Sequence, residues 1–323
     1  MIDGQNRVID YLRVSVTDRC NLRCIYCMPE QGVESLPHDS ILRYDEILRI
    51  CRLMAGQGLR KVKITGGEPL VRRGIADLIR GIRGIAGIES VTLTTNGVLL
   101  AAKLDELVAA GIDSITVSLD TLDRQHYATL TRRDELPAVL AGLARLDDFP
   151  QLQRKINCVP LGDETDILAI AALAKEKPIH VRFIEVMPVG FARGLPFRSE
   201  AELRQLLEAR WGGLVPCSER LGNGPARYVS LPGFCGKIGF ISAISHRFCA
   251  SCNRMRLTAD GLLKGCLQYA GGINLKQMMV AGCDDAALLE AIRTAVTAKP
   301  AGHHFGEADA GGEDPRAMSQ IGG

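Results

Sequence analysis

From residue 11 to residue 185 the chain alternates short β-branched and aliphatic runs with longer stretches whose apolar positions recur at helical spacing. The strand-like runs are 12–17, 61–65, 91–95, 114–119, 153–159 and 180–185, and helical stretches such as 45–55, 75–82 and 104–110 lie between them. Each crossover is long enough for a helix, which predicts a parallel sheet. Six βα units predict an α/β fold built as a partial TIM-type (β/α)6 barrel rather than a full eight-unit one.

Within the strands, alternate residues face opposite sides. Leu12, Val14 and Val16 share one face of the first run, and Arg13, Ser15 and Thr17 share the other. Lys61, Lys63 and Thr65 fall together, as do Thr92, Thr94 and Asn96, then Thr116, Ser118 and Asp120, then Lys155 and Asn157, with Arg182 on the sixth run. Helices must cover the apolar face, so the polar face turns inward. A closed barrel packs branched aliphatics there; this one is expected to hold a polar ligand. Arg13, Lys61, Lys63, Lys155 and Arg182 share the inward parity, which favours convergence on that ligand over five separate solvated strand ends.

After about residue 190 the rhythm changes. Residues 199–211 predict a helix with Ser199 as N-cap and Glu202 three residues on. Residues 227–231, 237–241 and 254–258 predict short antiparallel strands, and 284–297 an amphipathic helix ended before Pro300. Residues 301–323, rich in Gly, Ala and acidic residues, predict a mobile tail with His303 and His304 solvated in it. The expected organisation is a barrel over 1–190, an α+β extension over 191–300 and the tail.

The 323 residues are 46% hydrophobic, enough for a sizeable core, and the net charge of +2 sets up no global field for nucleic acid. No apolar run approaches the roughly 20 residues of a membrane span. The first residues carry scattered charges and no targeting pattern, so a cytoplasmic protein in a reducing compartment is expected.

Cysteine spacing changes the picture most. Cys20, Cys24 and Cys27 form C-x3-C-x2-C after the first strand, and Cys249, Cys252 and Cys266 form C-x2-C-x13-C. Structural zinc takes four closed ligands, and each triplet is one short. Disulfides fit poorly with eleven cysteines, an odd number. Two iron–sulfur clusters fit, each with one iron left open to substrate or cofactor. Cys51, Cys158, Cys217, Cys235 and Cys283 lack the spacing and read as ordinary thiols.

The remaining motifs sit at strand C-terminal ends, where barrels bind ligands. Gly66-Gly67-Glu68-Pro69 follows the second strand, Thr95-Asn96-Gly97 the third, and Ser118-Leu119-Asp120 closes the fourth. Alone, the first could be a tight turn. Beside the triplet, its glycines are expected to admit a ligand closely, and Glu68 to accept from an ammonium group.

A C-x3-C-x2-C loop with Tyr26 before the last cysteine, followed by Gly-Gly-Glu-Pro, resembles the radical S-adenosylmethionine (SAM) superfamily. LRVSVTDRCNLRCIYCMP, KITGGEPLVRR, LTTNG, VSLDTLD, RFIEVMPVG, FCASCNRMRLTADGLLKGCL and the terminal IGG narrow this to a resemblance to its GTP 3′,8-cyclase family, spanning nearly the whole chain. The resemblance implies two [4Fe–4S] clusters and SAM as cofactors. It also implies a lyase that cyclises GTP to 3′,8-cyclo-7,8-dihydro-GTP in the first step of molybdenum-cofactor biosynthesis. In that family an adenosyl radical removes the ribose C3′ hydrogen, and the second cluster takes the guanine base. By the same resemblance SAM lies against Tyr26, Gly67, Ser118 and Met187. GTP lies against Arg13, Lys63, Thr94, Lys155 and the Arg254-Met255-Arg256 stretch, with Lys61 and Arg182 as further triphosphate contacts. Gly322 and Gly323 reach the barrel mouth and share the catalytic role with Arg256. The segment 155–187 is shorter than the family's usual one, which loosens the alignment of Met187. Implied partners are a flavodoxin or ferredoxin as reductant and cyclic pyranopterin monophosphate synthase downstream; a homodimer stays open. A peptide-modifying radical SAM enzyme is the rival reading, but it needs a peptide groove rather than inward cations. A simple electron carrier needs neither the Gly-Gly-Glu-Pro turn nor a barrel of this size.

Overall fold

The alternating runs form six parallel strands adjacent in chain order: β1 (Tyr11–Ser15), β2 (Lys61–Thr65), β3 (Ser90–Thr95), β4 (Ser114–Ser118), β5 (Gln153–Cys158) and β6 (Ile179–Ile184). The computed structural model describes residues 1–219, 221–305 and 312–322. Helices α1 (Tyr44–Ala55), α2 (Ile75–Arg83), α3 (Leu100–Ala109), α4 (Arg124–Thr131), α5 (Leu136–Arg145) and α6 (Glu164–Glu176) fill the crossovers. Outward strand residues such as Leu12, Val14, Val62, Ile64, Leu93 and Val117 are fully buried with Ile47, Ile50, Leu78 and Leu104 of the helices in one core. Each such side chain contributes about 1.5–3 kcal/mol on burial. The opposite parity is thereby turned inward.

The extension departs from expectation. It supplies β7 (Val215–Cys217), β8 (Arg227–Ser230), β9 (Ile238–Ile241), β10 (Arg254–Leu257), β11 (Leu262–Lys264) and β12 (Ile273–Asn274). The pairs β7–β8, β8–β9, β10–β11 and β11–β12 are antiparallel, but β9 pairs with β6, and β10 with β1, in parallel. The result is one twelve-stranded sheet, β12-β11-β10-β1-β2-β3-β4-β5-β6-β9-β8-β7. Six parallel strands leave two edges of unpaired N–H and C=O groups. The extension satisfies both, so it completes the barrel sheet rather than forming a separate layer.

Helix α7 (Glu200–Trp211) starts as expected, with Ser199 Oγ accepting from Glu202 N and Glu202 Oε2 accepting from Ser199 N at 2.7 Å. Helices α8 (Leu275–Val280) and α9 (Asp285–Thr297) precede the tail. No helix among the described residues is long and apolar enough to cross a membrane.

The expectation of a mobile tail is corrected for residues 301–305 and 312–322. Met318–Ile321 forms a last helical turn, α10, and Ile321 is buried with Val189, Leu267 and Phe305. Asp314 pairs with Lys264, both side chains fully buried, and also with Arg316 at 2.8 Å. His303, expected in solvent, is buried with its ring 4.6 Å from that of Phe305; His304 is exposed. Composition pointed to mobility here, whereas spaced apolar anchors and buried ion pairs decided the packing.

Candidate active site

The inward faces of β1–β6 enclose a cavity of about 320 Å³ that also receives Arg254 and Arg256 from β10. Cys20, Cys24 and Cys27 line its upper end, beyond the strand C-termini. The loop that carries them is held by backbone. Gly67 N donates to Thr17 O at 2.6 Å and Glu68 N to Arg19 O at 2.8 Å. A Cβ on Gly67 would stand 2.4 Å from Arg19 O. The glycine pair is thus required by the cysteine loop itself, not only by an incoming ligand. Arg23 Nη1 donates to Cys20 O at 2.7 Å, and Arg132 Nη1 to Arg23 O and Met28 O. Arg23 N and Ile25 N donate to the end of α4.

Glu68 does not offer a free carboxylate. It accepts from Leu70 N, Thr95 Oγ1 and Asn96 N at 2.6–2.9 Å, and burial pushes its pKa up to about 7. Its role is to lock the β2 and β3 ends beside the triplet. Burial pushes the Cys20 thiol up to about 11 and Cys27 to about 12, and Cys20 and Asp120 add to this at Cys27. A thiol so buried ionises when a cationic group takes the thiolate. Among the described residues no three His, Cys, Asp or Glu side chains are gathered to hold a single metal ion. The fit of a cluster rests on the donor set: three thiols on one short loop, facing a cavity, with no fourth cysteine among its lining residues.

Below the thiols the wall becomes cationic. Arg13, Lys63, Lys155 and Arg182 line the cavity, and among the described residues neutral acceptors stand against the last three. Lys63 Nζ lies 3.4 Å from Thr94 Oγ1, Lys155 Nζ donates to Gln153 Oε1, and Arg182 donates to Asn157 Oδ1 at 2.9 Å and Thr116 Oγ1 at 3.2 Å. Burial lowers the Lys63 pKa well below the ordinary lysine range, and the charges of Arg182, Arg13 and Lys155 add to it. Burial and Arg182 bring Lys155 down to about 7. Arg256 is likewise lowered by burial, then by Arg13 and Arg254. Buried like charges that depress one another form a site for a multiply charged anion.

The second triplet lines an adjoining cavity that shares Met187, Arg254, Arg256 and Leu267 with the first. Arg7 ties its loop down, donating to Cys249 O at 2.8 Å, Ala301 O at 2.9 Å and Pro300 O at 2.7 Å while paired with Asp3. Burial works to raise the Cys252 thiol, but Arg254 and Lys299 outweigh it and bring it to about 7. Three thiols beside cations again suit a cluster that leaves one iron open.

The tail closes the upper end. Arg256 Nη1 donates to Gly322 O at 2.7 Å. Gly322 has φ of 76°, and a Cβ there would stand 2.8 Å from Ser15 Cβ, so conformation and space both require glycine. Met187 and Met318 pack beside Ile321 between the two cavities.

Of the residues singled out from sequence, Tyr26, Gly67, Ser118, Met187, Arg13, Lys63, Thr94, Lys155, Arg182, Arg254 and Arg256 all line the main cavity. Lys61 does not; Asp10 holds its Nζ at 2.6 Å at the start of β2. Met255 pairs in register with Leu12 and its side chain is fully buried in the outer core, so only its backbone is left to a ligand. Gly323 lies outside the described residues. Asp120, placed inward from sequence but given no role there, and two residues not singled out, Arg7 and Lys299, take part as well. Asp120 accepts from Tyr26 Oη at 2.8 Å and Val159 N at 2.8 Å, and burial raises it to about 6; its parity was the available signal. Arg7 and Lys299 reach the second triplet from far along the chain, with no local signal.

A radical SAM superfamily model matches residues 14–187, and a Molybdenum Cofactor Synthesis C model matches residues 179–305. The GTP 3′,8-cyclases of Pelotomaculum thermopropionicum and Heliobacterium modesticaldum are each 44% identical to this chain, over the full length of both partners. Among solved structures, SuiB of Streptococcus suis bound to S-adenosylmethionine superposes with a TM-score of 0.62 at 18% identity, covering 89% of this chain and 68% of SuiB. That likeness carries the fold alone.

Proposed function

Because the chain belongs to the GTP 3′,8-cyclase family of the radical SAM superfamily, we infer that it converts GTP to 3′,8-cyclo-7,8-dihydro-GTP at the start of molybdenum-cofactor biosynthesis. The observation that carries this reading is a cationic cage lying between two cysteine triplets in communicating cavities. Cys20, Cys24 and Cys27 would hold one [4Fe–4S] cluster, and Cys249, Cys252 and Cys266 the other. The first cluster, with SAM, supplies the radical that abstracts hydrogen.

The chain's own residues do the rest. Tyr26, held by Asp120, and Gly67, Ser118 and Met187 would seat SAM under the triplet. Arg13, Lys63, Lys155 and Arg182 would neutralise the triphosphate, with Thr94 beside Lys63. Arg254 and Arg256 would steer the base toward the second triplet. Gly322, fixed by Arg256, would close the mouth and exclude water, which protects a radical from side reactions. The oxygen-sensitive groups suit the cytoplasm, an acidic flavodoxin or ferredoxin as reductant, and cyclic pyranopterin monophosphate synthase as consumer of the product. The peptide-modifying alternative has no observation of its own in this cavity.

Anaerobic reconstitution with SAM, dithionite and GTP tests the reading. 5′-Deoxyadenosine and a cyclised nucleotide are expected in matching amounts. Cys20→Ser should abolish both, whereas Cys249→Ser should leave uncoupled SAM cleavage without cyclisation. SAM cleavage in the wild type with GTP unchanged would reject the assignment.

A further inference from the structure

The lower end of the main cavity is closed by a segment that the cage does not use. Strands β7 and β8 form a hairpin, and its tip, Gly222-Asn223-Gly224-Pro225, lines the cavity. Asn223 Nδ2 donates to Ser90 Oγ at 3.2 Å, and Ser90 is the first residue of β3. Ser114 and Gln153, the first residues of β4 and β5, line the cavity as well. The triplet Cys20, Cys24 and Cys27 stands at the opposite ends of the strands. The cavity therefore runs the length of the barrel, and the hairpin tip is its floor.

Among the described residues the floor is poor in available charge. Asp113 reaches it, but its Oδ2 accepts from Val91 N at 2.7 Å and lies 3.3 Å from Arg83. Lys61 at the start of β2 is neutralised by Asp10. Arg254 at the start of β10 lies over the Phe248 ring, 5.1 Å from its centroid, on the side of Cys252. Lys155, two residues above Gln153 on β5, is the cation against which the tip rests. A Cβ on Gly222 would stand 2.9 Å from Lys155 Nζ.

We propose that the β7–β8 tip is a stop that sets the length of the phosphate chain, with the terminal phosphate of a nucleoside triphosphate lodged between Lys155 and the backbone of residues 222–224. The proposal rests on reading the cage as a triphosphate site. A diphosphate ends short of Lys155 and forgoes a charge-assisted bond. A tetraphosphate must push the tip away from Ser90, where the other described cations at the strand starts, Lys61 and Arg254, are held by Asp10 and the Phe248 ring.

The test uses the full-length reconstituted protein and equilibrium dialysis with GTP, GDP, guanosine 5′-tetraphosphate and guanosine. Wild type should prefer GTP over both GDP and the tetraphosphate by about tenfold or more, the value of one such bond. Gly222→Val presses on Lys155 and should weaken GTP about tenfold while GDP and guanosine hold. Asn223→Ala releases the tip without crowding it and should shrink the GTP-over-tetraphosphate preference several-fold. Unchanged iron content and melting temperature in each variant separate these effects from misfolding. Equal wild-type affinity for GTP and tetraphosphate overturns the stop, as does an Asn223→Ala preference that matches wild type. Guanosine bound as tightly as GTP overturns the cage reading, and the stop with it.

Discussion

Lys155 is a lysine that its own fold holds close to neutrality. Burial, then the charge of Arg182, bring its pKa down to about 7. A bound triphosphate supplies negative charge that outweighs both causes, so binding raises the pKa and takes up a proton. Below about pH 7 the Lys155 amine is already charged, and its contribution to affinity should be flat. Above pH 7, up to the higher pKa of the complex, affinity should fall by as much as about tenfold per unit for each proton taken up. Calorimetry in buffers of different ionisation heat reads that uptake directly. Arg182→Ala should weaken GTP by about 1.5–3 kcal/mol and, by relieving Lys155, move the fall to higher pH while SAM binding is kept. A pH slope equally steep for guanosine would contradict this account. Inward parity made Lys155 and Arg182 visible in the sequence. It could not reveal that Lys61, of the same parity, is claimed by Asp10.

The element that matters most is the short cysteine-bearing loop, and each of the two is held by an arginine. Arg23 binds the first loop from within, and Arg132, with φ of 56° at the end of α4, binds it from outside. Arg7 ties the second, through Cys249 O, to the Pro300 and Ala301 carbonyls of the segment after α9. Removing a buried donor leaves its acceptors unsatisfied at roughly 1–3 kcal/mol each. Arg7→Ala is therefore expected to shed the second cluster on exposure to chelator, lowering iron per chain toward one cluster's content. SAM cleavage should persist, and cyclisation should fall with the lost iron. Iron retention equal to wild type would show that the staple is unnecessary. The cysteine spacing announced both loops, but a spacing pattern carries no trace of a staple that arrives from residue 7.

At the scale of the molecule, the two ends of the chain meet over the site. The extension pairs with both edges of the parallel sheet, which brings Arg254 and Arg256 beside Arg13. The tail then crosses the opening, anchored by Ile321 and by the Lys264–Asp314–Arg316 group, and Gly322 rests on Ser15 and Arg256. Deleting residues 322–323 is expected to leave both clusters, GTP binding and the melting temperature near wild type. Cyclisation should be lost while SAM cleavage runs uncoupled, because water then enters beside the reacting sugar. Full cyclase activity in the truncated chain would show that the tail has no part in the reaction.

Local order in this protein is written in local sequence. The period of two placed the six strands and their inward polar face, helical spacing placed the crossovers, and cysteine spacing marked both thiol loops. Those signals survive because each depends on residues a few positions apart. The tertiary structure decided what depends on distant partners. It set β9 parallel to β6 and β10 parallel to β1, on the side of each not paired with its antiparallel neighbour, because the open edges of the six-stranded sheet needed partners. It turned Met255 into the core and withdrew Lys61 to Asp10. It buried His303 and the tail, and it brought the β7–β8 tip beneath Lys155. In each case the deciding energy is burial or charge shared between segments far apart in the chain, which no reading along one strand contains.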